Sequence, residues 1–363
     1  MTRTSAEIAS LLRCPITRGP LTPLKPDELD EANRLAAAGA LRRRDGTPVA
    51  DKIESGFAPS SGRFFYPVVD GILALLPDSA IFREAPGSRP DGLRDEKRRV
   101  RDFYDQTGWQ PTPEGLFSES ARFGDLRAVT EGYHRNCEER LLRRLPAEGG
   151  ILLDAGSGPA QNIRDTGASR RFRTRICVDL SRVGLLAAKS RIGDRGIYIQ
   201  ADVADLPLAD GCVDAAVCLH VLQHLPPDEQ GAALRGLHRV LKPHGRALVV
   251  YAWGYHSYLM NIATLPYHLI RIVKDLYLRH AVGRPQARIY FDAHGYRWFR
   301  RQTWGFPLEI ASWRSLSTPF LKCYVHGGWG GERILRLAVA LEDRFPHLMG
   351  VVGHYPLFII EKA

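Results

Sequence analysis

The string ILLDAGSGPAQ at 151–161 carries an apolar run into Asp154 and then Gly156, Ser157 and Gly158. Glycines at this spacing let the chain turn sharply and let a ligand rest on the main chain, as nucleotides often do. A dinucleotide fingerprint wants a third glycine where this chain has Gln161, which disfavours a nicotinamide dehydrogenase. A second acid, Asp179, ends the apolar run ICVDLS (176–181) and is followed by Leu180. A carboxylate there can accept from both hydroxyls of a ribose, or it can cap a helix starting near Ser181. A third acid, Asp202, ends IYIQADV (197–203) ahead of Val203. It suits an adenine amino group, with a nearby N–H for a ring nitrogen; the other reading is a turn acid before Leu206 and Pro207. The segment CVDAAVCLHVLQHLPP (212–227) then carries Leu219, His220 and His224 near its end. Histidine titrates near neutrality, so His220 and His224 are the candidates for a general base. Their i, i+4 spacing on an expected helix start equally suits bonds to nearby backbone. A metal pair would need a third ligand, and none is evident.

These residues need elements that bring them to one edge. Short apolar strands are expected over 151–153, 175–178, 197–200, 215–219 and 247–251, with helices over 160–168, 183–191 and 228–241. Strands alternating with helices imply an α/β fold, a parallel, doubly wound Rossmann-like sheet. Ligands of such sheets bind outside the carboxyl ends of the strands, where all four features fall. A small N-terminal α+β unit is expected over 1–85, with helices over 5–12 and 27–40 and a strand, turn and apolar segment over 64–73. A linker at 86–90 opens a mostly helical stretch to 145 that serves as linker and cofactor cover. The sheet domain runs over 146–363, interrupted by a helical cap insert at about 253–305. A helix over 331–345 and a closing strand over 354–361 complete it.

Bulk properties narrow the function classes. The chain has 363 residues, 44 % of them apolar, enough for a substantial core. No apolar run is long enough for a transmembrane segment and the N-terminus lacks a secretory h-region, so the expected location is the cytoplasm. The six cysteines form no CxxC pair, which argues against a disulfide framework or structural zinc. The formal net charge of +10 suits an anionic partner such as RNA, but equally a soluble arginine-rich surface.

Over roughly 100–252, and again at the closing strand, the sequence resembles the class I S-adenosylmethionine-dependent methyltransferases. Asp154, Gly156 and Gly158 match the family's glycine-rich first motif, Asp179 its ribose-binding acid and Asp202 the residue beside adenine. VLKPHG (240–245) matches the turn before the fifth strand, with His244 where glycine often stands. Ala160 likewise stands where many members have a third glycine. The resemblance implies S-adenosyl-L-methionine as cofactor, with 156–158 facing its methionine part, Asp179 the ribose, Asp202 and Val203 the adenine. Leu219 and His220 would then lie near the transferring methyl. Tyr104, Trp109 and Tyr133 are candidates for a cover over the cofactor.

The acceptor is poorly encoded. Methylases of amide or adenine amino groups commonly carry Asn/Asp-Pro-Pro-Tyr/Phe after the fourth strand; this chain has CLHV (218–221), which argues against those acceptors. The insert, with Tyr255, Tyr258, Tyr267, Tyr290, Trp298 and Phe299, is expected to cap the pocket or to pack as an extra helical layer. A small or medium organic acceptor is therefore expected. RNA or a translation factor is the alternative, and a non-catalytic module of the same fold the third reading. LLRCPITRGPL (11–21) and FYPVVDGILALLP (65–77) resemble the zinc-ribbon-like activator subunit of tRNA methyltransferases, with Thr17 where its second cysteine would stand. The resemblance implies a built-in subunit docked on the sheet domain, without metal; the other reading, slightly favoured, is a degenerate folding platform with no regulatory role. The oligomeric state is not encoded.

Overall fold

The structure is a computed structural model that describes residues 4–44, 46–49, 51–82, 92–113, 117–119, 124–160, 168–281, 289–328 and 330–363. Its strands in chain order are β1 (Leu21–Pro23), β2 (Arg42–Arg43), β3 (Ser55–Pro59), β4 (Phe64–Val69), β5 (Ile72–Ala74), β6 (Ile81–Phe82), β7 (Gly149–Ala155), β8 (Phe172–Asp179), β9 (Gly196–Gln200), β10 (Val213–Leu219), β11 (Leu241–Val250), β12 (Leu308–Arg314) and β13 (Tyr355–Glu361). The central order is β9-β8-β7-β10-β11-β13-β12. Strands β7 to β11 run parallel; β13 lies antiparallel between β11 and β12. The chain therefore reverses its direction of winding between β7 and β10, and a crevice opens at their carboxyl ends. Central strands are covered on both faces, so Ile176, Cys177 and Val178 in β8 all have no exposed surface.

The expected strands are present with longer bounds, and the expected helices over 183–191 and 228–241 appear as Arg182–Ile192 and Pro227–Val240. The helix expected over 160–168 and the linker at 86–90 lie largely outside the described residues. Two positions noted for lacking glycine explain themselves by conformation: Ala160 and His244 have φ of 56° and 63°, in the left-handed region glycine favours. Strand β12, the antiparallel neighbour of β13, carries no clear sequence signal and is an addition.

Residues 1–85, read as a small unit of their own, share both a sheet and a core with the rest. Strand β5 pairs in parallel with the edge strand β9, Ile72 opposite Tyr198 and Ala74 opposite Gln200. Leu11, Leu12, Cys14, Tyr66 and Leu73 pack into the same apolar cluster as Ile199, Leu206, Leu208 and Cys212. Backbone bonds from Arg13 to the Pro207 carbonyl (2.9 Å) and from Ala209 to the Leu11 carbonyl (2.8 Å) seal the seam. At Cys14, the Thr17 N–H donates to Sγ at 3.3 Å and the Tyr66 hydroxyl lies 3.6 Å away. This turn is held by a thiol, an amide and a phenol.

The insert departs from expectation. Its apolar stretch forms two helices, Tyr258–Ala263 and Leu265–Ala281, whose Tyr258, Ile262 and Ile270 are exposed. Phe299 is buried in the core against Tyr251, Trp253 and Phe358, and Trp298 stacks on His294. None of the six named insert aromatics lines the cavity described below; Ile289 and Phe291 do. No helix among the described residues is long and apolar enough to cross a membrane.

Candidate active site

A cavity of about 480 Å³ opens at the carboxyl ends of β7, β8 and β10. One end is lined by Gly156, Ser157, Asp179, Leu180, Asp202, Val203 and Leu219, all singled out in the sequence. Gly156 and Gly158 have φ of 76° and 47°. The turn also needs their missing side chains: a Cβ on Gly156 would lie 2.2 Å from Val221, and one on Gly158 2.6 Å from the Trp109 ring. The Gly156 and Ser157 amides both donate to the Val178 carbonyl, at 2.7 and 3.1 Å, tying this loop to the end of β8.

Asp179 is the best-held group at this end. Its Oδ2 accepts from the Gly158 N–H at 2.7 Å and its Oδ1 from the Ser181 N–H at 2.8 Å. The cap of the following helix is Ser181, whose hydroxyl accepts from Gly184. Asp179 is thus an aimed carboxylate rather than the cap. Burial pushes its carboxyl up to about 6 against the lowering effect of those two amides. Each oxygen keeps a lone pair toward the cavity. Asp202 is more committed. Its Oδ1 accepts from Ala204 N at 2.9 Å, and its Oδ2 accepts from Lys97, which also pairs with Glu229. Lys97 was missed in the sequence, hidden in a charge run that looks like a solvated face.

Two of the expected residues lie elsewhere. Asp154 does not line the cavity; it is 3 % exposed and pairs with Arg175, whose Nε lies 3.1 Å from Oδ2. Its role in the glycine-rich motif is to neutralise a buried arginine on the adjacent strand. Tyr133 is also off the cavity wall: its hydroxyl donates to Glu342 at 2.5 Å and accepts from Leu316 N at 3.3 Å. It therefore serves the packing between helices Ala128–Arg144 and Gly331–Arg344. Tyr104 and Trp109 do stand over the glycine turn, stacked on each other at 4.6 Å. Gly158 does not appear on the wall because Trp109 covers it.

His220 and His224 both line the cavity, but not as neighbours on a helix. His220 ends β10 with φ 60°, an uncommon backbone state for a residue with a side chain. Its ring is held edge-on by Trp313 at 5.0 Å and Tyr355 at 5.2 Å. His224 sits in the short turn Leu222–His224. Its Nδ1 lies 2.7 Å from the Tyr290 carbonyl, which fixes Nδ1 as donor and leaves Nε2 as acceptor. Burial lowers the two imidazoles to about 3 and about 4, so both are neutral and weakly basic at pH 7. The near-neutral titration expected of a general base is thus absent from both imidazoles.

The other end of the cavity was invisible in the sequence. It is walled by His134, Trp313, Arg314, Thr318, His354 and Tyr355, with Leu141, Val250 and Ala252 between them. These come from the helices Ala128–Arg144 and Thr318–Tyr324, from the end of β12, and from the start of β13 with the residue before it, with no local motif to announce them. Among the described residues no group of three or more His, Cys, Asp or Glu could hold a metal ion.

Residues 153–249 match the family described as a methyltransferase domain. The malonyl-[acyl-carrier protein] O-methyltransferase of Pectobacterium atrosepticum is 37 % identical over 126 residues, 34 % of this chain and 45 % of that one. The demethylmenaquinone methyltransferase of Clavibacter sepedonicus is 26 % identical over 172 residues, 46 % of this chain and 64 % of that one. The chain spans about half the length of the curated relatives it matches. Among solved structures, the magnesium protoporphyrin IX methyltransferase of Synechocystis with bound S-adenosylhomocysteine aligns with a TM-score of 0.44 at 17 % identity, covering 74 % of this chain and 100 % of that one.

Proposed function

We propose that the chain is an S-adenosylmethionine-dependent methyltransferase acting on a small or medium organic acceptor. The observation that carries this is Asp179: a buried carboxylate oriented by two backbone amides, at the switch point of a doubly wound sheet, beside a glycine turn with no room for side chains. That arrangement fits a ribose, and the match of 153–249 to a methyltransferase domain supports the rest. When bound, S-adenosylmethionine supplies an electrophilic methyl on a sulfonium. Asp179 would receive its ribose hydroxyls, Asp202 and Val203 its adenine, and 156–157 its methionine part. Tyr104 and Trp109 exclude water from above. Leu219 and His220, at the end of β10, orient the acceptor at the junction of the two ends of the cavity. The cavity volume lies in the range of metabolite sites, roughly 300–1,000 Å³. Calorimetric titration with S-adenosylhomocysteine and, separately, with a nicotinamide dinucleotide tests this. Binding of the first alone is expected; binding of the second alone would overturn it.

We further propose that residues 1–85 act as a built-in counterpart of the activator subunits they resemble. The support is the pairing of β5 with β9 beside the strand end that leads to Asp202. Leu73→Asp, which buries a charge in that seam, is expected to lower both the melting temperature and the affinity for S-adenosylhomocysteine. Lost stability with unaltered affinity would leave the unit a folding platform only.

A further inference from the structure

The acceptor end of the cavity holds a guanidinium that no carboxylate among the described residues contacts. Arg314, the last residue of β12, is 7 % exposed. Its guanidinium lies over the Tyr355 ring at 4.4 Å and beside Trp313 at 5.3 Å. Nη1 reaches His134 Nε2 at 3.4 Å, and Nη2 donates to Thr318 Oγ1 at 3.3 Å. Nε is buried without an acceptor, and so is Nδ1 of His354 on the same wall. Every one of these neighbours is uncharged, and among the described residues no carboxylate pairs with Arg314.

Two of the other buried arginines are treated differently. Arg140 pairs with Glu342 at 2.6 Å and Asp343 at 2.8 Å, and Arg175 pairs with Asp154. A guanidinium cannot escape its burial cost by losing a proton, so an unpaired one is costly unless something else supplies the counter-charge. The surrounding imidazoles do not supply it. Burial, and then the Arg314 charge, hold His134 and His354 at about 4 and His220 at about 3, all neutral. Aromatic faces attract the cation but leave its in-plane N–H groups unsatisfied.

We propose that the methyl acceptor carries an oxyanion, a carboxylate or a phosphate, that is received by the in-plane N–H groups of Arg314, with His354 and Thr318 beside it. A planar fork of N–H donors matches the two oxygens of either group. The apolar remainder of the acceptor would lie along Leu141, Val250 and Trp313, toward His220 and the methyl donor. This rests on the methyltransferase reading for the word acceptor, but the anion site itself does not depend on it.

The test is calorimetry on the full chain saturated with S-adenosylhomocysteine, using 2-naphthoate, 2-naphthyl phosphate and the uncharged 2-naphthamide as probes. At least one anion is expected to bind about tenfold more tightly than the amide. Which anion is preferred distinguishes a carboxylate from a phosphate acceptor. Arg314→Met should abolish that preference, leave the affinity for S-adenosylhomocysteine within about twofold, and not lower the melting temperature, because an unbalanced buried charge is removed. Arg314→Lys should recover part of the preference. No anion preference in the wild-type protein, or a preference surviving in Arg314→Met, overturns the proposal. Should Arg314→Met fail to fold, the wild-type preference and the lysine variant decide. If S-adenosylhomocysteine itself does not bind, the methyltransferase reading fails, and the probes titrated into the free protein still decide the anion site.

Discussion

The two ends of the cavity carry opposite chemistry. The donor end presents carboxylates, Asp179 and Asp202, fixed by backbone amides and by Lys97. The acceptor end presents a guanidinium, among neutral imidazoles and aromatic rings, that no carboxylate contacts among the described residues, while Glu138 lines the cavity one helical turn from His134. A cationic donor and an anionic acceptor would therefore each be drawn to their own end, and misplacement of either would set like charges together. Holding two reactants in register is the largest service a protein can give an in-line displacement whose electrophile comes from the cofactor. His220, in a left-handed backbone state at the boundary, has rings of the acceptor end on both sides of it.

Several changes should separate the two ends. The largest effect is expected from Asp179→Ala, which removes the proposed acceptor of the ribose hydroxyls: affinity for S-adenosylhomocysteine should fall by about a hundredfold or more by calorimetry. Anion-probe binding should survive. An equal loss of both would mean the two ends are one cooperative unit. Acidification should act on the donor end and by less. Asp179 has a carboxyl raised to about 6, so it is ionised above that pH and protonated below it. Cofactor affinity should therefore be flat at pH 7–8 and fall about tenfold by pH 5, with Asp179→Asn weak and pH-insensitive. The imidazoles at about 3 to 4 stay neutral across this window and add no inflection. For folding the sign is reversed. A carboxylate raised by burial costs stability while ionised, so Asp179 should stabilise the unliganded protein as pH falls through about 6. Gly156→Ala comes next. Its left-handed φ and the Val221 side chain 2.2 Å from an added Cβ should cost about 1–3 kcal/mol in chemical denaturation and weaken the donor end. The smallest effect is expected from Trp109→Phe, which keeps the lid over Gly158 but deletes a buried, unpaired N–H. Cofactor affinity should change by no more than a few fold, against about tenfold or more for Trp109→Ala.

The donor end was legible in the sequence because its physics is local. A glycine turn announces itself by residue type, and the acids at 179 and 202 end apolar runs that can only be strands. Even there, Asp154, which matches the glycine-rich motif, stands off the cavity, and a one-dimensional pattern does not show that Arg175 lies across from it. Tyr133 was chosen as an aromatic ahead of the first strand, a criterion met equally by Tyr104, which does reach the cavity. The acceptor end was illegible for the opposite reason. Arg314, His134 and His354 are brought together by the antiparallel return of β13 between β11 and β12, and no spacing in the chain encodes that. The insert misled through its aromatic content, since Phe299 is required by the core and Tyr258 is exposed. The N-terminal motifs gave the elements but not the continuity of β5 with β9, because edge pairing depends on two surfaces rather than one sequence.

The most direct measurement is a crystal structure of the protein with S-adenosylhomocysteine. The account predicts ribose hydroxyls on Asp179, adenine beside Asp202 and Val203, and the thioether sulfur turned toward His220 and the chamber that ends at Arg314. A nucleoside bound anywhere other than the carboxyl ends of β7 and β8, or a sulfur turned away from that chamber, would contradict it.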